Sequence, residues 1–152
     1  MPIHIEVVTQ EERIFEEPLA DSVTIPATEG LMTVLPRHAP VLTTLSFGEL
    51  IVRKGNAEES FAIYGGVVDV RPDKIVVLAD LAESSFAIDL EAMESARASA
   101  EKLLEEGVPE EENRQATLAL RRAELAIRIR NRIHQRGSVL RILDDEDTEG
   151  EE

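Results

Sequence analysis

Six arginines, Arg121, Arg122, Arg128, Arg130, Arg132 and Arg136, make the densest chemical feature of the chain. Guanidinium groups are planar forks that match carboxylates. This stretch therefore suits docking on an acidic protein surface, or neutralisation by acids of its own chain. Other chemistry is sparse. His4, His38 and His134 stand far apart, without the spacing of a metal site. There is no cysteine, which removes disulfides, thiolate ligands and thiol nucleophiles together. No nucleophile elbow, phosphate-binding loop or dinucleotide fingerprint occurs. The acid pairs Glu11-Glu12, Glu16-Glu17 and Glu58-Glu59 flank turns and strand ends, where a solvated rim is expected. No catalytic constellation and no metal site are read from these residues.

The arginines belong to a chain of 152 residues with formal net charge -15, and the charge comes in blocks. Residues 114–143 hold eight arginines against Glu124 alone, whereas residues 144–152 hold seven acids and no base. With 3% aromatic residues and an acidic balance, the chain is a poor nucleic-acid binder. No apolar run approaches the ~18–20 residues of a membrane span, and no signal core opens the sequence, so no membrane insertion is expected.

Two kinds of element must carry these residues. Ile3, Ile5 and Val7 alternate with His4 and Glu6, the period of a half-buried strand, with His4 turned to solvent. Similar pieces follow at Ser22–Ile25, Met32–Leu35, Val41–Leu45, Glu49–Arg53, Ser60–Tyr64, Gly66–Val70 and Lys74–Ala79, separated by turn signals such as Glu29-Gly30, Phe47-Gly48 and Lys54-Gly55-Asn56. That rhythm indicates an antiparallel β-sandwich or barrel. His38 lies between Pro36 and Pro40 in a rigid loop.

After residue 87 the period becomes helical. Asp89 suits an N-cap, and Leu90, Met93, Ala96, Ala100, Leu103 and Leu104 follow at helical spacing until Gly107 and Pro109. Asn113 suits the cap of a second helix, with Leu118, Arg122, Leu125, Ile129 and Ile133 as one stripe, Ala119, Ala123 and Ala126 beside it, and His134 near its end. Two such helices form an antiparallel hairpin whose Ala-rich stripes bury little area. Detaching or rearranging it is therefore cheap. The acidic run Asp144–Glu152 reads as disordered, and as a competitor for the arginines.

These residues resemble a known family, the epsilon subunit of the F-type rotary ATP synthase. The resemblance lies in Glu29-Gly30-Leu31-Met32-Thr33-Val34-Leu35-Pro36-Arg37-His38-Ala39-Pro40 followed by Leu42-Thr43, in Ile63–Val70 with its paired glycines, and in Val76–Asp80. It implies a ten-strand sandwich at the foot of the central stalk, with His38, Thr43, Glu29 and Gly30 facing the gamma subunit and the c-ring. It also implies that the C-terminal helices extend along gamma, where their arginines meet an acidic segment of the beta subunit and restrain ATP hydrolysis. Thr33 and Arg37 stand where the family pattern prefers glycine, and Leu31 where it prefers an acid, so a different loop shape is expected. Members that bind ATP do so through an [I/L]-D-x-x-R-A motif and arginines of the second helix. Ile88, Asp89 and Arg122 match, but Ala92-Met93 and Ala126 replace two cations. At about 1.5–3 kcal/mol per charged hydrogen bond, that loss argues against tight ATP binding, and no cofactor is expected.

The expected organisation is a sandwich over residues 1–86, a two-helix hairpin over 87–137 and an acidic tail over 138–152. The expected role is a non-catalytic rotor subunit that binds gamma, the c-ring and, through the hairpin, alpha and beta. Its expected location is a peripheral complex on the cytoplasmic face of a bacterial plasma membrane. An ATP-sensing hairpin and a passive structural part are the alternatives.

Overall fold

A computed structural model of the chain describes residues 2–135 and 140–142. The chain divides into two compact units, one of Met1–Ser84 with Ser138–Glu152, the other of Ser85–Gly137.

The first unit is a β-sandwich of eight strands: β1 Ile3–Val8, β2 Arg13–Ala20, β3 Ser22–Ala27, β4 Gly30–Val34, β5 Val41–Lys54, β6 Ala57–Val70, β7 Lys74–Ala79 and β8 Ala82–Ser84. The strand order is β2-β1-β7-β6-β5-β3-β4, with β8 added to β6. The eight pieces read from the sequence become six because two pairs of them are continuous, and β2 and β8 bring the strands to eight, where the resemblance implied ten. β5 runs through Phe47-Gly48 without turning, since Gly48 serves close approach: a Cβ there would strike the Pro26 ring. β6 runs through Gly65-Gly66, pairing with β8 before them and with β7 from Gly66 onward. All pairings are antiparallel except β1 with β7, which run parallel.

The closure of the sheet on itself is visible in contacts between strands that are distant in its order. β2 and β6 are separated by β1 and β7, a flat distance of roughly 14 Å at about 4.8 Å per strand. Yet the Phe15 and Phe61 rings lie 5.1 Å apart. Lys54 of β5 likewise reaches Glu17 of β2 at 3.2 Å. Between the layers, Ile3, Ile5, Val7, Ile25, Leu50, Ile63, Ile75 and Val77 are buried in one core.

The acid pairs are not all solvated. Glu17 and Glu59 are buried. Glu17 accepts from the Leu19 N–H at 3.0 Å beside Lys54. Glu59 is held by residues near the end of the chain. Arg141 donates from Nη2 to Glu59 Oε1 at 2.8 Å and from Nε to Oε2 at 3.3 Å, and the Glu58 N–H donates to the Leu140 carbonyl at 2.8 Å. Ile142 is wholly buried in the sandwich core. A separate tail from residue 138 therefore does not describe residues 140–142, because Ile142 is apolar and Glu59 needs a cation. The acidic run 144–152 lies outside the described residues.

The second unit opens with a 3-10 turn, Ser85–Ala87, followed by helices α1 Leu90–Glu106 and α2 Glu110–Gln135. Asp89 caps α1, its Oδ1 accepting from the Ala92 N–H at 3.2 Å, and Gly107 ends it at φ 72. α2 begins four residues earlier than a cap at Asn113 requires. The Asn113 N–H already bonds the Pro109 carbonyl at 2.8 Å, and Glu110, Glu111 and Glu112 form the first turn, where the helix dipole favours acids. Leu118 is exposed, and the buried face of α2 is Ala116, Ala123, Leu125, Ala126, Ile127, Ile129 and Ile133. In α1 only Ala100 is buried.

Candidate functional site

The first site is the loop and strand edge around β4. The turn between β3 and β4 brings Glu29 and Gly30 beside Thr43 on β5, in a groove of about 260 Å3 completed by Leu31, Met32 and Val41. His38 does not line this groove. It sits half-buried in the loop joining β4 to β5, with Nδ1 2.7 Å from the Ala39 carbonyl. The loop turns at Leu35-Pro36-Arg37-His38, closed by the His38 N–H on the Leu35 carbonyl at 3.2 Å, and the Arg37 N–H bonds the Pro72 carbonyl at 2.9 Å. Arg37 takes φ 69, the left-handed conformation that its third turn position requires and that glycine adopts without strain. Arg37 thus holds a glycine-like backbone conformation at a position where the resemblance expects glycine.

Sequence reasoning missed the apolar part of this surface. Leu31, Leu35 and Leu42 are 76%, 58% and 74% exposed. Alternation was the available signal. Leu31 and Thr33 oppose the buried Val34 in phase, as Leu42 and Thr44 oppose Leu45. A second outward pair, Val67 and Leu78, sits face to face across β6 and β7 beside a groove of about 320 Å3. Grouped exposed leucines mark protein contacts more than solvated surface.

The second site is the hairpin. Arg121, Arg128 and Arg132 recur along α2 at steps of seven and four, which places them on one side of the helix. Arg122 stands on a different flank. Arg130 turns into a groove of about 390 Å3 with Asn131, His134, Ile88, Asp89 and Leu90. Of the three residues matched to a nucleotide site, Ile88 and Asp89 thus share a groove. Arg122 does not line it, being about 12 Å from Arg130 along the axis at 1.5 Å per residue. Arg136 lies outside the described residues.

A polar cluster on the sandwich joins β1, β2 and β7. His4 is half-buried, not simply solvated, with Nε2 2.7 Å from Glu16 Oε1. Arg13 pairs with Glu16 at 2.6 Å, and Lys74 with Glu6 at 3.5 Å. Donor atoms of His4, Glu6 and Glu16 lie within 4.8 Å of one another. The two cations already meet the carboxylates that a metal ion would need. The His4 hydrogen bond, helped by Arg13, His4 and Lys74 charge, holds the Glu16 carboxyl below its ordinary value of 4.5. A lowered folded value stabilises the fold above the unfolded value, and that contribution is lost as pH falls through the folded one. His4→Ala is expected to move the Glu16 midpoint upward in a carboxyl NMR titration, and an unchanged midpoint would assign the effect to Arg13. Among the described residues, no helix is long and apolar enough to cross a membrane.

Comparison with known proteins covers most of the chain. Residues 2–85 match the family model for the ATP synthase, Delta/Epsilon chain, beta-sandwich domain. The ATP synthase epsilon chain of Herpetosiphon aurantiacus is 39% identical over 129 residues, 85% of this chain and 94% of that one. That of Halalkalibacterium halodurans is 36% identical over 126 residues, 83% and 90% of the two chains. A chain in the Euglena gracilis mitochondrial ATP synthase structure of OSCP, F1 and c-ring is similar with TM-score 0.72 and 26% identity, over 81% of this chain and 78% of that one. A chain of the Tetrahymena thermophila central stalk and c-ring structure shares the fold at TM-score 0.55 and 13% identity, over 86% and 97% of the two chains.

Proposed function

The chain belongs to the ATP synthase epsilon-chain family, and from that premise we propose that it is a non-catalytic subunit of the rotary stalk with two jobs. The sandwich couples the gamma subunit to the c-ring through the surface of Glu29, Gly30, His38 and Thr43. The exposed Leu31, Leu35 and Leu42 supply the apolar area such a joint needs. The hairpin restrains ATP hydrolysis by extending toward alpha and beta and setting its arginines against acidic groups there. No cofactor enters either job. The complex sits against the cytoplasmic face of the membrane, and this chain touches the lipid nowhere.

The observation that carries the reading is the thin packing of α1. Of its 17 residues only Ala100 is fully buried, and Leu90, Met93, Arg97 and Leu104 are half-buried. A helix held so lightly beside one lined with arginines is suited to movement and to electrostatic capture. The test is ATP hydrolysis by the reconstituted catalytic head and gamma, with the full chain or a chain ending at residue 87. Faster hydrolysis with the shorter chain is expected. Equal rates, with both forms bound to gamma, would leave a coupling subunit with passive helices.

A further inference from the structure

The hairpin unit leaves the sandwich after Ser84, and the chain is back on the sandwich by Leu140. One buried carboxylate gathers both sides of that excursion. Ser84 Oγ donates to Glu59 Oε1 at 3.4 Å, and Arg141 grips both oxygens at 2.8 and 3.3 Å. On either flank of this clasp, the Leu140 carbonyl accepts from the Glu58 N–H and Ile142 fills the core. The contacts depend on one another. Without Arg141 a buried carboxylate would keep one long hydroxyl bond, which is costly, and without Ile142 the core would open.

Reach gives the clasp its consequence. Leu140 lies five residue steps beyond Gln135, the end of α2. At most about 3.6 Å per residue, the end of α2 stays within about 18 Å of Leu140 while the clasp holds. The 26 residues of α2 make a helix of about 39 Å. We infer that residues 140–142 are a strap that fastens the hairpin's exit to its entry at Glu59, and that the strap must come off before α2 can travel its own length along a partner. The inference rests on the reading of the hairpin as a moving brake, and adds the step that releases it. A clasp on a buried carboxylate is little screened by salt, unlike arginines docking on exposed acids.

Four forms that all keep residues 1–139 test it: the whole chain, a chain ending at residue 139, the double variant Arg141→Ala with Ile142→Ala, and a chain ending at residue 143 that keeps the strap and drops the acidic run. Two readouts are needed, hydrogen exchange at the Glu58 amide and ATP hydrolysis by the reconstituted catalytic head and gamma. Both strap-less forms are expected to exchange Glu58 about tenfold faster, for loss of one linked hydrogen bond, with the β6–β7 amides still protected. Hydrolysis should fall at least about twofold, a shift of about 0.4 kcal/mol, because the freed hairpin engages more often. The chain ending at residue 143 should exchange like the whole chain. Unchanged Glu58 exchange in the strap-less forms would overturn the strap. So would faster exchange with unchanged hydrolysis, in a preparation where ending the chain at residue 87 speeds hydrolysis. If ending it at residue 87 changes nothing, the brake reading fails by itself, and Glu58 exchange alone decides whether the clasp exists.

Discussion

Gly66→Ala is expected to destabilise the sandwich by more than about 4 kcal/mol, the range reserved for a main-chain collision or its equivalent. Gly66 has φ 133, outside the reach of ordinary L residues. A Cβ there would strike the Leu78 carbonyl oxygen and lie 2.8 Å from the Ala79 Cα and 3.1 Å from the Asp80 nitrogen. All three are backbone atoms of β7 or its exit, so relief requires parting β6 from β7 at the pairs Gly66–Ala79 and Val67–Leu78. The neighbouring Gly65 supplies the control. It also has positive φ, 87, but its Cβ would meet only the Asp80 carboxylate, at 2.9 Å, and a side chain can rotate away. Gly65→Ala should cost about 1–3 kcal/mol. Urea unfolding of the two variants compares them directly, and equal losses would mean that φ alone, not the approach of β7, sets the cost.

Reversing Arg121, Arg128 and Arg132 together to glutamate should release hydrolysis nearly as far as removing the whole hairpin. Exposed ion pairs contribute up to about 1 kcal/mol each, so three lost pairs weaken docking by about 3 kcal/mol, on the order of a hundredfold. Repulsion from the new acids adds to that. Arg130→Glu is the comparator, since Arg130 faces the groove shared with Asp89 and not the common side of the helix. It should change hydrolysis less. Inhibition by the unmodified chain should also weaken as salt rises, because screening acts within about 8 Å at physiological strength. The triple variant should show little salt dependence. Retained inhibition in the triple variant, with helicity intact by circular dichroism, would remove these arginines from the mechanism.

Much of this was legible before any coordinates. The alternation of Ile3, Ile5 and Val7 reports burial faithfully because one face of β1 is core and the other is not. Asp89 and Gly107 bound α1 because capping is local chemistry that needs no tertiary partner. β2 was not legible. Glu16 and Glu17 read as rim, and His4, Arg13 and Lys54, two of them brought from other strands, help make them tenable in a sheet. Strand continuity through Gly48 was hidden for a similar reason. The glycine answers to Pro26 on β3 rather than to a turn. For the candidate site, the grouping of the residues was not legible. Glu29, Gly30 and Thr43 share a groove that His38 does not line, and Asp89 shares a groove with Arg130 instead of Arg122. Which arginine faces which groove depends on the rotation of α2, and that is set by packing.

The burial of Ile142 also bears on how the protein is made. The sandwich takes its first core residue from Ile3 and its last described one from Ile142, so its core closes only after both helices have been synthesised. A nascent chain that has just finished β8 holds a domain with an unfilled hollow and a carboxylate at Glu59 awaiting its guanidinium. The two helices emerge next, while that domain is still unfinished. Such long-range closure is slow and leaves apolar surface open in the meantime. Chains that end before Arg141 should therefore be incomplete sandwiches, more easily cleared or aggregated, whereas chains that end after Ile142 should not.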